Sequence, residues 1–472
     1  MRASHAIRLV LAAGFSVLSW VVGAQERMAL TLVRGHAPSY ANVTLEFRVP
    51  VGFITDDYEV AGRITVGPEG DFSCPLRLYG TQLVILDAGI YRLYFYAQQG
   101  QRYTLGLPPY TPLGDAERLN PYRQVPELQL VLHPDDTAQL NVNDCIARFD
   151  MAQAQALDSA QAVAQAKKLP IPTDSINEAL RAQFANCQDP FFQDYLLYRE
   201  GMLHYVAQTK RVKALSDEYF KGRPIRYSNP AYRDLFATIY DRYFIFHGRT
   251  QEGHAIYQAI SKAKSLSKLK AVLRQNDNLQ PDALLELVIL KGLHDEFFSG
   301  NFSRAALATI LDSLNQTTEI AEHAFIANYI REKVTKLLPG FAPYPIRLVS
   351  TEGKMVDLHA LRGKPVLLVF AMTTSYTCLQ DFELLRKLHE RMGERLQIVV
   401  LCADSNAEAM QHYVQNAHYP FTFAHIGDQY ELLRAYDIRV YPTYFLLNER
   451  GLLELSPAPS PSEGLMQTLM AR

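Results

Sequence analysis

The hydrophobic period of the chain changes twice. Between residues 26 and 148, apolar and polar residues alternate in short runs at 28–33, 43–49, 64–66, 72–78, 83–86, 91–96, 103–107 and 128–132. A period of two belongs to strands with one buried face. Gly, Pro and Asp punctuate the runs, as in Pro68-Glu69-Gly70-Asp71, and predict turns. Many short strands of this kind predict a β-sandwich. Tyr94 and Tyr96 are expected on its exposed face, either covering the sheet or binding a ligand.

Between residues 149 and 337 the pattern becomes helical and rich in Ala, Gln, Leu and Lys. Helices are predicted at 151–168, from Asp174 onward, and at 191–209, 230–247, 251–262, 267–275, 281–299, 303–315 and 318–337. Several open on Asp, Asn or Ser near Pro, the usual chemistry of a helix start. No clean repeat of about 34 residues appears, so this is read as an irregular α-helical layer.

From residue 338 to 472, strands alternate with helices. The run Val366-Leu367-Leu368-Val369-Phe370-Ala371 is apolar throughout and predicts a strand buried on both faces. Cys378, Phe382, Leu385, His389 and Met392 then follow at steps of four and three, one face of an amphipathic helix. Strands at 397–402, 421–424, 443–447 and 452–455 and helices at 406–415, 429–436 and 462–470 complete an α/β unit. The expected class is multidomain α+β: a β-sandwich at 26–148, a helical domain at 149–337 and an α/β domain at 338–472.

Composition adds a compartment. The 47 basic and 49 acidic residues leave no basic excess, which argues against nucleic acid as a partner. Residues 1–25 resemble a secretory signal: Arg2 and Arg8, an apolar stretch from 9 to 22, then Val22-Gly23-Ala24. A membrane anchor is the other reading, although the stretch is short for a span. Cleavage would leave no stable membrane span and would remove the single tryptophan, Trp20. The expected location is the periplasm or outer envelope of a bacterium.

The cysteines are Cys74, Cys145, Cys187, Cys378 and Cys402, with no C-x-x-C and no metal-ligand spacing. An exported chain permits disulfides. Cys74 and Cys145 fall in one predicted domain and can pair, or the thiols are free and buried. The scattered His204, His247, His254, His294 and His323 form no metal motif. Arg362-Gly363-Lys364 lacks the upstream glycine of a phosphate-binding loop. No metal or cofactor is implied.

Gly340-Phe341-Ala342-Pro343, Thr351-Glu352-Gly353-Lys354, Leu361-Arg362-Gly363-Lys364-Pro365, Val440-Tyr441-Pro442-Thr443 and Asn448-Glu449-Arg450-Gly451 occur in that order. Together they resemble the thioredoxin-like, TlpA/redoxin (AhpC/TSA-type) family of envelope disulfide reductases, over about residues 339–472. The resemblance implies a thioredoxin-like fold. It also implies a cis bond before Pro442, facing the loop 373–377, with Tyr441 offering its backbone to an extended peptide.

The departure concerns the W-C-x-x-C motif of that family, which reads here Thr374-Ser375-Tyr376-Thr377-Cys378. Cys378 matches the second, shielded cysteine, and Ser375 replaces the nucleophile. A serine hydroxyl is no thiolate and forms no disulfide. Ser375 is read as a helix cap, its oxygen accepting the N–H three residues on. No motif places His359, His389, His412, His418 or His425 beside it as a base. Burial would raise the Cys378 pKa and a helix end would lower it. Asp381 stands where the family has a proton-moving carboxylate; otherwise it is an ordinary solvated helix residue.

The functional expectation is therefore a non-reducing module. It would bind envelope proteins or extended cysteine-containing peptides through Ser375, Tyr376, Tyr441 and Pro442. The alternative is an enzyme working through Cys378 with Asp381, as a monothiol oxidoreductase or a one-cysteine peroxidase. Ser375-x-x-Cys378 fits half of the peroxiredoxin pattern, but Ala371 stands where that pattern has proline. A third reading, carbohydrate or surface binding by the β-region, would gain from a large apolar groove there.

Overall fold

The computed structural model describes residues 30–470 apart from 56, 115–116, 118–123, 134–140, 247–250 and 298. The signal expected at residues 1–25 lies outside the described residues. The protein is a mixed α/β molecule with several sheets and many helices.

The first strands are β1 (Thr31–His36), β2 (Thr44–Pro50), β3 (Tyr58–Thr65), β4 (Asp71–Leu76), β5 (Thr81–Ala88), β6 (Tyr91–Gln98), β7 (Arg102–Gly106), β8 (Glu127–Gln129) and β9 (Val131–His133). They form two sheets, ordered β4-β1-β7-β9 and β3-β2-β5-β6-β8. Alternate residues of both sheets, among them Val33, Phe47, Phe72, Leu76, Phe95 and Tyr103, bury one shared core. This is the outcome of period-two patterning when two inner faces meet.

The opposite face of the second sheet is covered as well. Leu83, Tyr94 and Tyr96 pack into the helical core, and Tyr96 meets the rings of Phe191 and Tyr195. Tyr96 is buried and Tyr94 half-buried, so the expectation of an exposed aromatic face is corrected. The amide of Asn143 accepts from the Tyr96 N–H at 2.7 Å and donates to its carbonyl at 2.8 Å. That side chain continues the ladder where β8 stops, so these buried backbone groups stay paired.

The helices are α1 (Val142–Lys167), α2 (Thr173–Gln183), α3 (Pro190–Val206), α4 (Val212–Tyr219), α5 (Pro230–Ile239), α6 (Tyr243–Phe246), α7 (Gln251–Tyr257), α8 (Leu266–Leu273), α9 (Asp282–Glu296), α10 (Arg304–Thr317) and α11 (Ala321–Thr335). Asn141, Asp189, Asn229, Ser265 and Ser303 cap helix starts with their side chains. A disulfide joins Cys145 of α1 to Cys187, ahead of α3. Cys74 is free, so a Cys74–Cys145 pair is excluded. The reason is the period of β4: Cys74 points into the core between the sheets, whereas Cys145 belongs to the helical core.

The last region contains β10 (Arg347–Val349), β11 (Met355–Asp357), β12 (Val366–Ala371), α12 (Tyr376–Met392), β13 (Gln397–Cys402), α13 (Ala407–Ala417), β14 (Thr422–His425), α14 (Glu431–Ala435), β15 (Thr443–Leu447), β16 (Leu453–Ala458) and α15 (Leu465–Met470). The sheet order is β14-β13-β12-β15-β16. β12 pairs parallel with β13 and antiparallel with β15. Its residues divide between two cores: Val366, Leu368 and Phe370 on one face, Leu367, Val369 and Ala371 on the other. A central strand covered on both faces has no polar positions, which accounts for the unbroken apolar run. The hairpin β10–β11, which sequence patterning did not show, lies beside the β14 edge through a Ser350–Ala424 bridge.

Candidate functional site

β12, β13 and β14 run parallel, so their C-terminal ends meet on one side of the sheet. The loop after β12 is tied down there by Asp404, which follows β13. The Thr373 N–H lies 2.9 and 3.0 Å from the two Asp404 carboxylate oxygens, and the Thr373 hydroxyl donates to Oδ1 at 2.6 Å. The Gly427 N–H donates to His425 Nδ1 at 3.0 Å, so Nε2 carries the ring hydrogen and donates it to the Asp404 carbonyl at 2.7 Å. The three strand ends are thus joined by polar bonds around a buried carboxylate.

Ser375 occupies the N-cap of α12 in an extended conformation, φ −92° and ψ 121°. Its side chain makes no cap bond, which corrects the capping expectation. The Ser375 carbonyl accepts from the Leu379 N–H at 3.0 Å. Serine thus stands at the helix N-terminus three residues before Cys378, the position of the attacking thiol in a C-x-x-C.

Cys378 is fully buried and free. Burial pushes its thiol up, more than the bonds from the Met372 backbone and Ser375 pull it down. The Asp381 and Asp404 carboxylates push the same way. Cys402, opposite Ala371 on β13, shares the core cluster of Cys378. Burial raises that thiol further, with Asp404 and Cys378 adding to it. Both sulfurs are held as thiols, the opposite of an activated nucleophile.

Asp381 is buried at 4% exposure, so its reading as a solvated helix residue is corrected. Burial raises its carboxyl, and the Tyr444 phenol, donating to Oδ2 at 2.6 Å, offsets this in part. Tyr444 is itself far up, through burial and through Asp381.

The Tyr441–Pro442 peptide is cis. Tyr441 packs against both cores of this region. Its hydroxyl is buried with no hydrogen-bond partner among the described residues. Burial, then the Cys378 and Asp404 charges, push it up to about 12. Nearby, Tyr376 is 74% exposed at the start of α12, and Val440 is 67% exposed just before Tyr441.

The structure therefore gathers Cys378, Asp381, Ser375 and Tyr441 around one buried centre, with Tyr376 on the outside. Sequence reasoning missed Asp404, Thr373, Tyr444 and His425. A usable signal existed for Asp404 and His425, since each lies at the end of a predicted parallel strand, where sites collect.

A sheet of this order, with helices on both faces and a cis-proline at the start of β15, is a thioredoxin-like fold. Residues 333–455 match the redoxin family model, and this C-terminal region belongs to the thioredoxin-like redoxin family. Curated relatives include the thiol-disulfide oxidoreductase ResA of Bacillus cereus, 27% identical over 128 residues that make up 27% of this chain and 70% of the relative. The thioredoxin-like protein YneN of Bacillus subtilis is 26% identical over 110 residues, 23% of this chain and 64% of that protein. Among solved structures, the thioredoxin domain of a thiol-disulfide oxidoreductase from Bacteroides vulgatus is 18% identical, with 29% of this chain and 97% of that chain covered and a TM-score of 0.27. No helix among the described residues is long and apolar enough to cross a membrane.

Proposed function

We propose that the C-terminal region is a non-reducing binding module of an exported bacterial envelope protein. It takes extended, cysteine-containing peptide segments or thiol proteins, and the β-region and helical layer serve as further domains of that protein. The observation that carries this reading is Cys378, fully buried, held as a thiol and preceded by Ser375 at the helix N-cap. A reductase needs an attacking thiolate and a second thiol to release the mixed disulfide. The same burial weighs against a one-cysteine oxidoreductase or peroxidase at Cys378, because peroxide or a disulfide must reach the sulfur.

Exposed Tyr376 and Val440 support peptide docking beside Pro442. A strand-like peptide there would supply backbone groups to the Tyr441 segment. Fluorescence anisotropy with a labelled extended peptide tests the reading. Binding is expected to persist when the peptide cysteine is alkylated, and to weaken about tenfold in Tyr376→Ala, which removes one exposed anchor. Binding that requires a free peptide thiol and leaves a mixed disulfide would overturn it.

A further inference from the structure

A second constellation lies away from this site, between the strand region and the helices. Glu286 of α9 accepts hydrogen bonds from Lys270, from the Thr318 hydroxyl at 2.7 Å and from His323 Nδ1 at 2.9 Å. Burial pushes the Glu286 carboxyl up, but the bonds from His323, Lys270 and Thr318 bring it down to about 2. An ionised carboxylate only accepts, so His323 must donate from Nδ1. Its Nε2 hydrogen-bonds with the Tyr227 hydroxyl at 2.9 Å. One side of the Tyr227 hydroxyl is thus held by the buried His323, and its oxygen keeps a lone pair for an outside donor.

Tyr227 lines a cleft of about 490 Å³, within the range of small-molecule sites. Phe53 forms part of its lining, edge-on to Tyr227 with ring centroids 5.8 Å apart. The strand side contributes Tyr79, 62% exposed, and the helical side Phe325, 50% exposed. The Gln82 side-chain oxygen accepts from the Tyr79 N–H, which directs its amide hydrogens elsewhere. Glu322 and Arg233 contribute one charge of each sign to the lining, so the cleft favours neither a polyanion nor a polycation.

We propose that this cleft binds a neutral saccharide, packed on Tyr79 and Phe325 and donating a hydroxyl to Tyr227. A sugar ring has an apolar C–H face that suits aromatic rings and hydroxyls that both donate and accept. A purely apolar ligand would leave the Tyr227 oxygen without an outside partner. A strongly charged one would meet no net opposite charge. The buried Glu286–His323 pair is then a positioning device that holds the Tyr227 hydroxyl in place.

The test uses the full chain with three probes: triacetylchitotriose, maltotriose and cellotriose. Calorimetry should find at least one binding with a Kd of about 1 mM or tighter. Saturation-transfer NMR should place its ring C–H groups against aromatic protons. Tyr79→Ala and Phe325→Ala, both at exposed positions, should each weaken binding about tenfold. Tyr227→Phe removes one oxygen and should also weaken it about tenfold, with some loss of thermal stability because His323 Nε2 loses its partner, whereas Tyr79→Ala and Phe325→Ala should leave thermal unfolding unchanged. The proposal is overturned if none of the three sugars binds, or if binding survives all three substitutions. Tighter binding by a neutral extended peptide than by any of the sugars would overturn it too.

Discussion

Tyr444 donates its phenolic hydrogen to Asp381 Oδ2 at 2.6 Å, joining β15 to the helix that carries Cys378 entirely inside the protein. The bond places a carboxyl in the buried site with one donor and little water, and burial raises its pKa. Protons are then bound more tightly in the folded state than in the unfolded one. The stability associated with Asp381 is therefore full below its ordinary carboxylate range and is lost as pH rises through the raised folded value. Asp381→Asn keeps an acceptor for Tyr444 and carries no charge. It should stabilise the protein at neutral pH and show no advantage at acid pH, as read by urea unfolding across pH. Equal stabilisation at both ends would show that Asp381 does not titrate in this way.

Glu286 gives the opposite sign. Its carboxyl lies at about 2 in the folded protein, below its ordinary 4.5. Its contribution is present above 4.5 and is lost as pH falls from there towards about 2. Glu286→Gln should flatten the acid limb of the stability curve in that window. An unchanged limb in calorimetric scans would exclude the assignment.

Reductase chemistry is expected to be absent and recoverable. The parent should not turn over in dithiothreitol-driven insulin reduction, and Cys378→Ser should change nothing. Ser375→Cys places a thiol at the α12 N-terminus, where its pKa should drop below the ~8.5 of a free cysteine, and should give measurable activity. An active parent silenced by Cys378→Ser would make Cys378 a working redox centre.

Thiol accessibility can be counted. Cys74, Cys378 and Cys402 are free and buried, and Cys145 is bonded to Cys187. Brief iodoacetamide treatment of the native protein should label none of them by mass spectrometry. Denaturation without reductant should expose only the three free thiols. Rapid native labelling of Cys378 would contradict the buried sulfur.

Asp404 should prove structural to the loop. Asp404→Ala removes the acceptor of three Thr373 contacts. Hydrogen bonds to a charged group contribute about 1.5–3 kcal/mol, so a loss of that order is expected in urea unfolding. Freeing the loop should also speed alkylation of Cys378, which Asp404→Asn, retaining one acceptor oxygen, should do less. Unaltered stability and labelling would show that other contacts hold residues 373–377.

What the chain determines on its own is periodic or local. The apolar run 366–371, the four-and-three spacing from Cys378 and the replacement of a thiol by Ser375 are all properties of neighbours in sequence. They were enough to place the α/β unit and the missing nucleophile, because strand and helix periods arise from backbone geometry that each segment carries with it. What depends on distant residues was decided only by the tertiary structure. Cys187 rather than Cys74 faces Cys145, and Asp381 is sealed in by Tyr444. Tyr96 is covered by α3, and Asp404 at the end of β13 reaches Thr373 at the end of the neighbouring β12. Each of these depends on which surfaces meet when the cores close. Burial and long-range pairing change a side chain's protonation and partners without changing anything in its local sequence.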